Sequence, residues 1–270
     1  MTQSERRKYL INALLEEQPR YRGMEIPDNE EEQKLLLRAL FNIRYPGSVS
    51  EEFIEVQDAY LKEENASRGI TNIEELRNIA DIMGEPCEEW LGDVYLWQGD
   101  ITTLKCGAIV NAANSQMLGC FVPNHRCIDN AIHTFSGIQL RNECFEIMQN
   151  QGHEEPTGCA KITKAYNLPS EYVIHTVGPI IRGLLTQHDE DLLASCYNSC
   201  LVLADENNID SIAFCCISTG EFHFPNRRAA EIAIETVKNY KNNFNSKVKV
   251  IFNVFLDNDC NIYRELLGIN

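Results

Sequence analysis

The chain of 270 residues carries 24 Lys and Arg against 40 Asp and Glu, a formal charge of −16, with 44% hydrophobic and 24% charged residues. That length accommodates one large α/β domain of about 150–200 residues and a smaller appendage, and the ordinary apolar fraction excludes a disordered chain. The acid excess excludes a basic surface for nucleic acid or anionic membrane, so an anionic ligand has to be held by loops and backbone amides.

Residues 1–90 read as a helical N-terminal extension. Ser4 is placed to cap a helix carrying Leu10, Ile11, Leu14 and Leu15. The run from Glu30 to Ile43 sets Leu35, Leu36, Leu40 and Phe41 on one face, and Ser50 opens a further helix with Phe53, Val56, Tyr60 and Leu61 at helical spacing. A short helix follows near Ile73–Ile82. The N-terminus MTQSERRKYL lacks the apolar run of a signal peptide, and no stretch reaches transmembrane length. With an odd number of cysteines, 11, in no regular framework, the expected compartment is the reducing cytoplasm.

From residue 91 to 270 the texture is strands alternating with helices. DVYLW, GAIVNAAN, EYVIHTV, SIAFCCIS and KVKVIFNVFL are short apolar runs rich in β-branched and aromatic residues, which predict buried strands. Helices are predicted at about 128–149, 190–207 and 226–241, the last two with Leu192, Leu193, Tyr197, Ala233 and Val237 inward. Such alternation gives a central sheet with helices on both sides, whose ligand sites lie at the carboxyl ends of the strands.

The strand-end loops carry the chemistry. In GDIT, residues 99–102, Asp100 is either a cap at the turn or a carboxylate that accepts from a ligand amine. In NAAN, residues 111–114, two amides leave the buried strand; they suit sugar hydroxyls or shape the turn. GCFVPNHRC, residues 119–127, sets Cys120, His125 and Cys127 in one short loop stiffened by Pro123. Two thiolates and an imidazole are a soft, tetrahedral set, and three protein ligands leave a fourth position open, as at catalytic zinc. The bland alternative is two packing cysteines and a surface histidine. In ISTGEFHFP, residues 217–225, Gly220 is placed to take positive φ and bare successive N–H groups, a cradle for a phosphate that needs no Lys or Arg. A strand-borne His175 reads as buried structure, His133 as a histidine bonding within the fold, His153 and His188 as loop residues and His223 as exposed; Cys215, Cys216 and the remaining cysteines read as core.

In this order, GDIT, IVNAAN, IDNAIH opening a helix, VIHTVGP and ISTGEFHFP resemble the macrodomain family, which binds ADP-ribose, over about residues 91–270. The resemblance implies a three-layer α/β/α sandwich with a mixed central sheet. It implies that Asp100 and Ile101 meet the adenine, that Asn111 and Asn114 flank the distal ribose, and that Gly119 with Ser218, Thr219, Gly220, Glu221 and Phe222 wraps the diphosphate. The cysteine-rich loop ahead of Ile128-Asp129-Asn130-Ala131-Ile132-His133, with the helical extension, is similar to the zinc-dependent macrodomains of bacteria and fungi. It implies Zn2+ on Cys120, His125 and Cys127, with Asn114 and Asp129 at the reacting end. The expected activity is removal of mono-ADP-ribose from a modified protein, on an Asp or Glu ester, with ADP-ribose as product and no direct nucleic-acid or membrane partner. Asp129 reads equally as a helix cap. Glu221 departs from a phosphate cradle and is expected to point outward. Two other readings stay open: a reader of ADP-ribose whose zinc only staples a loop, and an O-acetyl-ADP-ribose deacetylase.

Overall fold

The structure, a computed structural model, describes residues 1–84 and 86–269. The chain opens with helices α1 (Gln3–Glu17), α2 (Glu30–Ile43) and α3 (Glu51–Ser67). The cap of α1 is Thr2, not Ser4: its hydroxyl accepts from Glu5 N and the Glu5 carboxylate accepts from Thr2 N at 2.7 Å, a reciprocal capping box. Ser50 caps α3 as expected. On α2 the buried stripe is Gln33, Leu37, Leu40 and Phe41, whereas Leu35 is 54% exposed. The stripe was misread because its first member is polar: Gln33 is buried by accepting from Arg7 Nε at 3.0 Å. The three helices share one apolar core, closed by Ile138.

The expected short helix is two pieces, a 3-10 turn at Ile73–Glu75 and α4 (Ile79–Met83), and both pack on the second, larger core. The strands among the described residues are β1 (Thr71–Asn72), β2 (Val94–Gln98), β3 (Leu104–Lys105), β4 (Ala108–Ala113), β5 (Ala160–Lys164), β6 (Tyr172–Val177), β7 (Ser211–Phe214) and β8 (Lys249–Val254). Six of them form a sheet in the order β2-β8-β7-β4-β6-β5, parallel except for β5 against β6, with α5 (Ile128–Ser136), α6 (Ile138–Gln151), α7 (Gln187–Glu206), α8 (Asn226–Phe244) and α9 (Asp257–Leu266) around it. This is the expected mixed sheet. The five predicted strands all sit in it. The antiparallel edge strand β5 was missed because Lys161 and Lys164 break its apolar pattern, a common guard on an open edge.

The single helix expected over 128–149 is broken at Gly137, with φ +98°, where a Cβ would stand 2.7 Å from the Gln139 and Gln57 side chains. Helix α7 begins early enough that His188 lies in its first turn rather than in a loop. Leu193 and Tyr197 on α7, and Ala233 and Val237 on α8, are fully buried. No helix among the described residues is long and apolar enough to cross a membrane.

Candidate functional site at the strand ends

Asn111 lies in β4 and Asn114 just past its end, and they do different work. Asn111 is wholly buried. Its amide nitrogen donates to Asp129 Oδ1 at 2.8 Å and to His175 Nδ1 at 3.1 Å. Since Nδ1 of His175 accepts, the ring proton sits on Nε2, which faces Thr163 Oγ1 at 2.9 Å. Burial holds His175 neutral by lowering its pKa to about 3. Asn111 thus lies under the site and aims Asp129. Asn114 is half-buried at the surface of the site, its amide nitrogen 3.3 Å from the Gly119 carbonyl and 3.4 Å from Asp129 Oδ2.

Asp129, in the first turn of α5, is 5% exposed. Burial raises its carboxyl to about 6, against the opposing pull of the Asn111 hydrogen bond and the Arg141 charge. It is not the helix cap: Cys127 holds that position, its sulfur 3.4 Å from Asn130 N. His133, one turn further, is buried with neither ring nitrogen bonded among the described residues, so the expected internal bond is absent. Its Nε2 lies 3.6 Å from Asp129 Oδ1, and burial, then Arg141 and His175, keep it neutral.

The cysteine-rich loop is built by a turn. Val122-Pro123-Asn124-His125 closes through His125 N to Val122 O at 3.2 Å, with Asn124 at φ +55°, the backbone that a proline-led type II turn requires. Gly119, at φ +79°, enters the loop so close to α5 that a Cβ would be 2.7 Å from His133 Cγ. The ligand atoms of Cys120, His125 and Cys127 all lie within 4.8 Å of one another. Cys120 Sγ and His125 Nδ1 are 3.7 Å apart; ligands at about 2.3 Å (S) and 2.05 Å (N) on a tetrahedral centre stand about 3.6 Å apart. The donor set and its spacing therefore fit zinc. Burial, with Cys120 and Asp129 close by, pushes the Cys127 thiol up to about 12; a dication beside it would reverse that balance.

Sequence reasoning did not single out Cys144, which joins His133 and His175 in a second compact group, fully buried. Both nitrogens of His175 are already engaged by Asn111 and Thr163, which leaves that group as packing.

Across the cleft, the loop after β7 spans residues 217–225. Gly220 does not carry the positive φ; Ser218 (φ +64°) and His223 (φ +58°) do. Those two residues turn the chain so that Phe224 N reaches Ser218 O at 2.9 Å and His223 N reaches Gly220 O at 3.0 Å. A Cβ at Gly220 would meet nothing within 4 Å, so this glycine leaves room rather than supplying a backbone angle. The N–H groups of Gly220, Glu221 and Phe222 find no backbone acceptor among the described residues. Ser218 Oγ is buried and unpartnered among them. The Glu221 side chain is 71% exposed, as expected, and it faces His125, with Oε1 3.6 Å from Nε2. The two loops meet there.

Asp100 is a cap: Oδ1 accepts from Thr102 N at 3.0 Å and from Thr102 Oγ1 at 2.6 Å, opening a 3-10 turn over Ile101–Thr103 with Ile101 buried. Its other oxygen pairs with Arg68, just beyond α3. Arg68 also stacks on Phe135, 3.6 Å from the ring centroid. Arg68 and Arg38 of the extension escaped sequence reasoning because the contacts are 32 and 92 residues away along the chain, with no local pattern.

The Macro domain family profile matches residues 110–233. The chain is similar to a protein-ADP-ribose hydrolase of Treponema medium, 57% identical over 99% of this chain and 100% of that one. It is 48% identical to a protein-ADP-ribose hydrolase of Staphylococcus aureus strain MSSA476, over 96% and 94% of the two chains. Among solved structures, a Trypanosoma brucei macrodomain in complex with ADP-ribose superposes with a TM-score of 0.66 at 28% identity, covering 85% of this chain and 95% of that one.

Proposed function

This chain belongs to the macrodomain family, and from that premise we propose that it hydrolyses mono-ADP-ribose from protein side chains, with zinc held by Cys120, His125 and Cys127. The observation that carries the reading is the convergence of three soft ligands beside Asn114 and Asp129, facing a loop of unspent amides. ADP-ribose lies with its diphosphate over residues 218–222 and its distal ribose between Phe222, Asn114 and Asp129. Its adenine lies toward Asp100 and Ile101. The similarity to relatives described as protein-ADP-ribose hydrolases supports the same activity here.

Zinc bound there would supply Lewis-acid polarisation at the distal ribose. The chain's own residues do the rest. Asn114 spans Gly119 and Asp129 and so fixes the metal loop against the carboxylate. Asp129, ionised above about pH 6, orients a ribose hydroxyl or the attacking water. Asn111, held by His175, keeps that carboxylate aimed. An ester to Asp or Glu fits best, because a carboxylate leaves without needing a proton and Asp129 has none to give at neutral pH.

The test is release of ADP-ribose from a mono-ADP-ribosylated carrier protein by the protein as purified, after chelation, and after zinc is restored. Loss with chelator and return with zinc is expected. Undiminished release after complete zinc removal would overturn the metal's role. Tight ADP-ribose binding with no release under any condition would make the chain a reader.

A further inference from the structure

Three contacts from the helical extension end on the metal loop itself. Arg38 on α2 donates from Nη2 to the His125 carbonyl at 3.0 Å, and from Nη2 and Nε to Asn130 Oδ1 at 2.8 and 3.2 Å. Asn42, one turn on and 1% exposed, accepts from the Asn124 N–H at 2.9 Å and donates to Thr134 Oγ1 at 2.9 Å. Tyr45 stacks on Phe121, ring centroids 5.0 Å apart.

The residue Arg38 grips is the hub of the loop. Asn130 is fully buried, and its amide nitrogen donates to the Val122 carbonyl at 3.0 Å and approaches that of Cys120 at 3.5 Å, while its backbone N–H meets Cys127 Sγ. One asparagine therefore touches the chain at or beside each end of the ligand set. Its side-chain orientation is fixed by the guanidinium, since only the oxygen can face Arg38 and only the nitrogen can face the two carbonyls. The nine residues 119–127, within the connection from β4 to α5, would otherwise have to order themselves when metal arrives, at a cost in chain entropy.

We propose that the N-terminal extension is the outer wall of the metal site: α2, through Arg38 and Asn42, holds residues 119–127 in their ligand-presenting form before metal binds. Arg38 is a positioning residue, acting through Asn130 and the His125 carbonyl. The consequence for zinc affinity rests on the metal reading above, whereas the ordering of the loop does not.

The full chain is compared with Arg38→Ala, Arg38→Lys, Asn42→Ala and the control Arg6→Ala, whose partner Glu63 lies within the extension. Amide exchange of peptides covering 119–127 is measured in chelator-treated protein, zinc affinity by competition with a chromophoric chelator, and ADP-ribose affinity by calorimetry. Faster exchange and about 10–100-fold weaker zinc binding are expected for Arg38→Ala and Asn42→Ala, the loss typical of an outer-shell partner. Arg38→Lys should recover part of it, with ADP-ribose affinity of the metal-free protein within about threefold throughout. Exchange and zinc affinity that match the control would overturn the proposal while leaving the metal reading intact. Faster exchange in a protein that binds no zinc even as wild type would support the clamp and sink the metal reading instead.

Discussion

Two glycines face the cleft from opposite sides, and replacing each with alanine should give opposite results. At Gly119 the backbone sits at φ +79°, and the new methyl would stand 2.7 Å from the ring of His133, which is buried and cannot move aside. The backbone angle costs about 1–2 kcal/mol for an L residue and the overpacking about 1–3 kcal/mol, so Gly119→Ala should lower Tm by roughly 5–15 °C. At Gly220 the φ is ordinary and a methyl meets no protein atom within 4 Å. Gly220→Ala should leave Tm unchanged or slightly raised, because alanine restricts the unfolded chain by about 0.4–1 kcal/mol. Its cost should fall on the ligand instead: ADP-ribose affinity should drop at least about tenfold, since the methyl fills the approach to the Gly220–Phe222 amides. Differential scanning calorimetry and titration calorimetry on both variants separate the two effects. Wild-type ADP-ribose affinity in Gly220→Ala would refute the placement of the diphosphate over this loop, and a wild-type melt in Gly119→Ala would refute the tight contact with α5.

Three further predictions test the polar framework. Asp129 has a folded pKa of about 6 against 3.8 when unfolded, so the folded state holds the proton longer and stability falls as pH rises from about 4 to 6, by up to about 3 kcal/mol; in chelated protein Asp129→Asn should flatten that slope, and an unchanged pH profile would show the carboxyl to be solvated. Arg141 is 5% exposed and donates to the carbonyls of Phe41, Asn42, Arg44 and Leu118, so Arg141→Met should cost about 3–5 kcal/mol in denaturant unfolding by stranding three buried acceptors and a part-buried one; a loss under about 1 kcal/mol would mean that the extension is not tied to the body through it. Asp100→Ala should cost about 1–2 kcal/mol even without nucleotide, because it removes a cap and the Arg68 partner; a wild-type melt would leave the carboxylate a purely ligand-facing role.

What could be read from the sequence was whatever depends on neighbours along the chain. The apolar runs gave β2, β4, β6, β7 and β8, and the group of Cys120, His125 and Cys127 was visible because the three share one short loop. What could not be read was set by contacts across the chain. Asn111 and Asn114 look alike in NAAN, yet Asn111 lies within β4, buried against His175, while Asn114 lies just past the strand's end, at the surface. Gly220 suggested a backbone angle, but Ser218 and His223 adopt it, and the glycine's absent side chain is what matters. Arg38 carries no local mark at all, because its partner Asn130 is 92 residues away.

The acid excess that seemed at odds with an anionic ligand is settled locally. Each carboxylate at the strand ends is matched to a donor or an imidazole: Asp100 to Arg68, Asp129 to the amides of Asn111 and Asn114, and Glu221 to His125. The guanidiniums of Arg38 and Arg68 both come from the extension and lie against Phe135, with Arg38 bonded to the cysteine-rich loop and Arg68 to Asp100. A third, Arg141 on α6, belongs to the α/β sandwich and acts on Asp129 and His133. Surface acids farther away than a Debye length of about 8–10 Å are screened by salt. A formal charge of −16 therefore says little about the potential at the cleft, where the Gly220–Phe222 amides and the guanidiniums of Arg38, Arg68 and Arg141 stand near the carboxylates.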